Sequence, residues 1–296
     1  MYDVIIVGGG PAGITAGIYC ARANLKTLIV EQAAIGGQIA SAPKVENYPG
    51  ITSISGADLA CEFANQVEKF KIDVEYEEVL SLDVDKKLVV TDYGQYQSRA
   101  IIIATGAKYR LLGLENEIDY IGKGISFCTT CDGAFYKDKN VAVIGSGNSA
   151  VSNAIYLANI CHKVYLILRS NKLKCEKSLI NILSAMENIE IIYNSNVTKI
   201  IGDDILKEIV LNDDKSLKIQ GMFLSIGMDA QTSLVKNILK LNEDNYIISN
   251  DCKTNCNGIF VAGDCRDKTL RQLTTAVGDG AIAAKLAINY LENEKI

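Results

Sequence analysis

Tyr2-Asp3-Val4-Ile5-Ile6-Val7-Gly8-Gly9-Gly10-Pro11-Ala12-Gly13 decides the fold. The apolar run ending at Val7 predicts a strand over residues 2–7 that is buried on both faces. The glycines after it let bare backbone approach a ligand. Pro11 suits the first turn of a helix, where its missing N–H would be unpaired in any case. Ala12, Gly13, Ala16 and Gly17 keep that helix thin enough to lie against the strand. Thr27 to Val30 reads as the second strand and Glu31 closes it. Glu31 follows Gly13 at close to the roughly 20-residue spacing at which an acid accepts the hydrogen bonds of an adenosine ribose. Strand, loop, helix, strand and acid in this order describe a dinucleotide-binding unit.

Working outward, Val141 to Ile144 is a second apolar run followed by a second glycine signature, Gly145-Ser146-Gly147-Asn148-Ser149-Ala150, with a further strand at Val164 to Leu168. Ala100 to Ala104 before Thr105-Gly106, and Ile259 to Ala262 before Gly263-Asp264, read as buried strands ending in tight turns. Both share the style of the first signature. Because Gly263-Asp264 lies near the C-terminus and the second signature lies mid-chain, the first domain must be discontinuous. The expectation is an α/β fold of two Rossmann-like nucleotide-binding domains, the second inserted into the first. The boundaries fall at residues 1–111 and 237–296 for the first domain and 112–236 for the second.

Hydrophobic residues make up 48% of the 296 and charged residues 22%, with a formal net charge of -5. That balance is of a soluble globular protein and offers no electrostatic footprint for nucleic acid or an anionic membrane, so small molecules and proteins are the expected partners. No basic leader opens the chain and no run of about 18 apolar residues occurs, which points to the cytoplasm. Of nine cysteines, Cys20, Cys61 and Cys161 stand singly in apolar contexts and read as small buried thiols. Cys252 and Cys256 form a looser pair. A four-cysteine zinc site with Cys128 and Cys131 is disfavoured by the long second spacing. The one histidine, His162, reads as a solvated helix-to-strand junction and excludes a multi-histidine metal site.

Cys128-Thr129-Thr130-Cys131-Asp132 has redox spacing and stands between the two nucleotide-type loops. Together these elements describe an electron path: a nucleotide that delivers a hydride, a second cofactor that accepts it, and a disulfide that is reduced. The chain reads as a flavin-dependent disulfide reductase. Such a disulfide serves two partners, since one sulfur must meet the flavin and a thiolate must attack the substrate.

Gly8 to Gly13, Gly36-Gly37-Gln38, Val45-Glu46-Asn47-Tyr48-Pro49-Gly50, Ala104-Thr105-Gly106, Cys128 to Gly133, Gly145 to Ala150, Gly263-Asp264 and Arg271-Gln272 together make the chain resemble the low-molecular-weight thioredoxin reductases over nearly its whole length. The resemblance implies a homodimer with FAD in the discontinuous domain, a pyridine nucleotide on the inserted one, and a disulfide substrate carried by thioredoxin or a similar small protein. It implies that Gly8, Gly10, Pro11, Ala12 and Gly13 cradle the FAD pyrophosphate and that Glu31 holds the ribose. Gly37, Gln38, Asn47 and Val79 would contact the cofactor, Thr105 and Gly106 would line it, and Gly263-Asp264 would meet the ribityl chain. Arg271, Gln272 and Leu273 would precede an apolar helix starting near Thr274, whose N-terminal dipole favours negative charge on the reduced flavin. Cys131 would stack toward the flavin and Asp132 would manage protons. Nicotinamide and disulfide cannot share one flavin face at once, so the family implies a domain rotation, with hinges near Leu112-Gly113 and within residues 227–234.

The chain departs from the family at the electron donor. Gly145, Gly147, Asn148, Ser149 and Ala150 are intact, so pyrophosphate binding is expected, and no acid ends the following strand to favour NADH. The family's 2′-phosphate clamp, His-Arg-Arg-x-x-x-Arg, reads here Leu168-Arg169-Ser170 with Lys174 four residues on. The acidic pair after the second signature is replaced by Ser152-Asn153. Losing one contact to a charged group, worth about 1.5–3 kcal/mol, weakens NADPH by about tenfold to over a hundredfold. NADPH held by Arg169 and Lys174 remains the expected donor, and a ferredoxin-linked reductase is the alternative. A dithiol oxidase returning electrons to oxygen and a non-catalytic FAD-binding redox sensor are the further readings.

Overall fold

The computed structural model describes residues 1–42 and 44–293. Two compact units emerge: Met1–Lys108 together with the chain from Asp229 onward, and Tyr109–Met228 between them. The crossings thus fall at Tyr109 rather than Leu112 and after Met228 rather than Lys236. The reason for the second shift is packing: the turn Ser233–Val235 buries Val235 in the core of the first unit, beside Val7, Val30 and Ile259.

The first unit is built on a five-stranded sheet ordered Ile259–Val261, Ala100–Ile103, Val4–Val7, Thr27–Val30, Asp73–Glu75, with every pairing parallel. The four strands from Ile259 to Thr27 in that order are buried at every position, which is why each reads as an unbroken apolar run. The first of them in the chain begins at Val4 rather than Tyr2; Asp3, just before it, is tied to the flanking segments, its amide donating to the Lys26 carbonyl, its carbonyl accepting from Ala100 and its carboxylate accepting from the Lys26 amide. The helix Pro11–Arg22 lies against the sheet, and the helix Leu273–Asn293, which starts one residue before Thr274, lies against that helix. Both contacts need glycine. A Cβ on Gly13 would stand 1.9 Å from the Gly8 carbonyl oxygen, and one on Gly280 would stand 2.2 Å from that of Ala12.

The second unit repeats the plan with the parallel order Ile189–Ile192, Lys163–Ile167, Asn140–Ile144, Gly221–Leu224, Ile125–Ser126. Leu168, expected to end its strand, lies just beyond it but stays buried, its amide bonded to the Ile192 carbonyl. Each unit also carries a three-stranded antiparallel sheet. Cys20 and Cys161 are buried thiols, whereas Cys61 is exposed on the helix Gly56–Lys69, where its apolar neighbours occupy the other face. His162 is exposed between the helix Asn148–Ala158 and the strand Lys163–Ile167.

Candidate functional site

At the C-terminal end of the Val4–Val7 strand the chain turns through Gly8 (φ 109°), whose Cβ, if present, would lie 2.4 Å from the Ala104 carbonyl oxygen. Only glycine suits that turn. The Gly9 amide then donates to Glu31 Oε2 (2.6 Å) and the Ala33 amide donates to Oε1 (2.9 Å), so the carboxylate at the end of the second strand is held by backbone from both sides. Gly10 caps the helix Pro11–Arg22; no side chain caps this end and no acid lies in its first turn. A Cβ added at Gly10, or at Gly106 (φ 72°), would project into open space. Bare backbone and an uncapped helix N-terminus thus occur at one end of the sheet, the two features a pyrophosphate site uses.

The second half of the chain completes this end. Gln38 Nε2 donates to the Ala107 carbonyl, Thr105 Oγ1 to the Gln231 carbonyl (2.5 Å), and Asn47 Nδ2 to Gln272 Oε1 (3.2 Å). Gly37 (φ 58°) lies close to Gly10: a Cβ added to it would stand 3.1 Å from the Gly10 Cα. Val79 opens an antiparallel strand and packs on the core layer that holds Val7 and Val30. Arg271 is no loose surface charge: its guanidinium lies 3.8 Å over the Tyr246 ring and donates to the backbone carbonyls of Asp264 and Arg266. Leu273 is the first residue of the C-terminal helix.

Gly263 and Asp264 rest on a buried ionic cluster that sequence reasoning missed. Asp279 accepts from the Gly263 amide (3.1 Å), Arg266 Nη1 (2.8 Å) and Lys268 Nζ (3.0 Å). Lys268 Nζ also lies 3.1 Å from Asp264 Oδ1, without the alignment of a hydrogen bond, so that buried oxygen has an ion-pair neighbour and no hydrogen-bond partner among the described residues. An acceptor in that state suits a hydroxyl-bearing ligand. Gly10, Gly106, the uncapped helix, the held Glu31 and the unfilled Asp264 acceptor together fit FAD. The one available signal was Asp279 itself, an acid set between Gly278 and Gly280 in the first half of a largely apolar helix.

In the second unit Cys128 and Cys131 are joined as a disulfide, with Cα atoms 5.3 Å apart. Cys128 caps the short helix Thr129–Asp132, its sulfur accepting from the Cys131 amide (3.2 Å). Asp132 follows on that turn. Burial pushes its carboxyl up from the ordinary carboxylate range, while a hydrogen bond from Ser126 Oγ (2.6 Å) draws it down. Thr129 Oγ1 donates to Asn153 Oδ1 (2.7 Å), and Asn153 Nδ2 donates to Ser225 Oγ (2.8 Å). Asn153 therefore ties the redox turn to the helix Asn148–Ala158.

That helix opens at the second glycine loop. Gly145 (φ 148°) would bring a Cβ within 2.4 Å of the Ser225 carbonyl oxygen, and a Cβ at Gly147 would meet open space. Gly147 caps the helix with no side-chain cap and no acid in the first turn, so Asn148, Ser149 and Ala150 repeat the first loop's pattern. The Lys174 amide donates to the Ser146 carbonyl (2.7 Å), which brings the remnant of the phosphate clamp to this loop. Arg169 and Lys174 are exposed, Leu168 is buried, and Ser170 Oγ donates to the Lys172 carbonyl (2.8 Å).

Residues 2–280 match the family described as pyridine nucleotide-disulphide oxidoreductase. Thioredoxin reductase of Bacillus subtilis is 39% identical over 99% of this chain and 95% of its own. A protein of Clostridium pasteurianum described as a 34.2 kDa protein in the rubredoxin operon is 39% identical over 98% and 97%. The crystal structure of thioredoxin reductase from Streptococcus pyogenes superposes with a TM-score of 0.94 at 40% identity, covering 99% of each chain. With this fold and these loops, the chain belongs to the pyridine nucleotide-disulphide oxidoreductases and, among them, to the low-molecular-weight thioredoxin reductases, FAD-dependent enzymes that reduce a disulfide.

Proposed function

We propose that this protein reduces the disulfide of thioredoxin or a thioredoxin-like protein through the Cys128/Cys131 dithiol, with NADPH as the electron donor, as a cytoplasmic homodimer. The observation that carries the reading is the Cys128–Cys131 disulfide, on a turn that Thr129 ties to Asn153 of the helix opened by the second glycine loop (2.7 Å). FAD, when bound, supplies the two-electron relay between donor and disulfide. Gly8, Gly10, Pro11, Ala12 and Gly13 would hold its pyrophosphate on the helix N-terminus, Glu31 its ribose and Asp264 its ribityl chain. Gly37, Gln38, Asn47, Val79, Thr105, Gly106, Gly263, Arg271, Gln272 and Leu273 would complete the cradle.

After reduction, one thiolate of the pair attacks the substrate disulfide and forms a mixed disulfide; the second sulfur resolves it, releasing the substrate dithiol and restoring the Cys128–Cys131 bond. Asp132 would carry the proton. Its partial burial favours the protonated form, as a group that donates to a departing thiolate requires.

For the donor, Gly145, Gly147, Asn148, Ser149 and Ala150 would hold the pyrophosphate. Arg169 and Lys174 are exposed cations whose side chains have no ion pair or hydrogen bond among the described residues, which leaves both free to meet a 2′-phosphate. A ferredoxin donor is the second reading, favoured by Ser170, whose hydroxyl is spent on the Lys172 carbonyl where the family has an arginine. Anaerobic titration of the purified yellow protein with NADPH, NADH and reduced ferredoxin tests both. Bleaching of the flavin by NADPH is expected; an oxidised flavin at millimolar NADPH that reduced ferredoxin bleaches would overturn the pyridine-nucleotide reading.

A further inference from the structure

Ser126 ends the short edge strand Ile125–Ser126, held in parallel register opposite Phe223, and is 4% exposed. A buried hydroxyl at the edge of a sheet needs partners, and this one finds them all on the redox turn. Its oxygen accepts the Cys128 amide (3.1 Å), and its hydrogen has two acceptors in reach, Asp132 Oδ2 at 2.6 Å and the Cys128 carbonyl at 3.4 Å. The Asp132 contact is the shorter of the two and the better placed to take the hydrogen.

We propose that Ser126 is the positioning residue for the proton-carrying carboxyl, holding Asp132 in one place through both of its protonation states. A hydroxyl carries one donor and two acceptor sites. Toward the carboxylate, Ser126 donates. Once Asp132 is protonated, the roles reverse: the carboxyl donates to Ser126 Oγ, and the serine hydrogen turns to the Cys128 carbonyl. A proton then passes between Asp132 and a cysteine sulfur, leaving a carboxylate and a thiol, with the heavy atoms of Ser126 and Asp132 in place. The same residue grips the Cys128 amide, so the proton carrier and the first sulfur of the pair share one fixed point on the sheet. This inference rests on the reading of Asp132 as the proton carrier.

The surroundings leave Ser126 as the dominant polar influence. Tyr136, on the turn that follows, has its phenol pushed up to about 12 by burial and then by Asp132, with the Cys161 thiol beyond it. From the helix Asn148–Ala158, Tyr156 packs on Gly133, and Asn153, bonded to Thr129, is neutral. The Asp132 carboxyl is governed by burial and the Ser126 bond, with no cation contributing among the described residues.

The test is infrared difference spectroscopy of the oxidised holoenzyme against pH, following the protonated-carboxyl band that disappears in Asp132→Asn. A hydrogen bond to the charged form is the stronger one, so its loss in Ser126→Ala raises the midpoint of that band by about one pH unit, a tenfold tighter hold on the proton. Ser126→Thr, which keeps the hydroxyl, returns it to the wild-type position. The limb of the kcat profile moves with the midpoint. An unchanged midpoint in Ser126→Ala overturns the proposal, as does a shift in Ser126→Thr equal to that in Ser126→Ala. If Ser126→Ala does not fold, Ser126→Cys, a weaker donor of similar size, gives the same decision: an intermediate midpoint supports the proposal and an unchanged one overturns it. Full turnover in Asp132→Asn, with the midpoint still moved by Ser126→Ala, overturns the role of Asp132 while supporting the control of its proton by Ser126.

Discussion

The Gly9 amide donates to the Glu31 carboxylate across 2.6 Å, so the acid that closes the second strand is aimed by the loop that closes the first. With Ala33 holding its other oxygen, the Glu31 carboxylate is fixed before any ligand arrives, and under the proposed ribose contact it would lose little side-chain freedom on binding. Glu31→Ala is expected to weaken FAD by about tenfold to a hundredfold, the value of about 1.5–3 kcal/mol for hydrogen bonds to a charged group. Equilibrium dialysis of the apoprotein against FAD measures it, and an unaltered affinity refutes the assignment.

Cys128→Ser and Cys131→Ser should each abolish substrate reduction while the flavin stays bound. Cys252→Ala and Cys256→Ala should leave turnover within about twofold, because burial pushes the Cys252 thiol up to about 12 and keeps it a thiol at working pH. Steady-state assays with the natural donor decide; full turnover by either redox-pair variant removes the pair from the reaction.

If NADPH is the donor, Ser170→Arg should lower its KM and Arg169→Ala should raise it by about tenfold or more, with kcat changed little. The two variants bracket the clamp from both sides. Identical KM values in wild type, Ser170→Arg and Arg169→Ala would show that no 2′-phosphate is read at this loop.

Asp132 also sets a pH dependence of stability. Its folded carboxyl holds a proton more tightly than the unfolded one, so the native state is favoured below the unfolded carboxylate range and loses that advantage as pH rises through the folded pKa. Asp132→Asn, neutral throughout, should therefore raise Tm at pH 7 and lose the gain near pH 4. A Tm gain that is the same at both pH values would contradict the burial of this carboxyl.

Asp279 carries two buried cations, Arg266 and Lys268. Removing one partner of a buried pair leaves uncompensated charge, so Asp279→Ala should cost about 3 kcal/mol or more and loosen FAD through Gly263 and Asp264. Thermal unfolding with and without added FAD reads both effects; Asp279→Leu, equally stable and equally yellow, would show the cluster to be dispensable.

Both glycine loops, the cysteine pair and the discontinuous first unit were legible in the chain. Each loop is a local pattern: an unbroken apolar run that must be buried on both faces, then a glycine that alone tolerates φ near 109° or 148°, then an uncapped helix. Two cysteines three apart on one turn need no tertiary information to be recognised as a pair. Arg271 was only half legible, since nothing in its neighbours announces that Tyr246 and two backbone carbonyls will gather its guanidinium.

What the amino-acid sequence determined by itself is therefore the order of the elements and the residues at their ends, because backbone conformation and burial are dictated over a few residues at a time. Only the tertiary structure decided that Asp279 supports Gly263, that Asn153 ties the redox turn to its helix, that Ser126 holds Asp132, and that Val235 draws the unit boundary back to Met228. Most of these are single contacts between elements far apart in the chain, and none leaves a periodic trace. A hydrogen bond or an ion pair needs only one donor and one acceptor at the right distance, so its partners become visible when the fold brings their elements together.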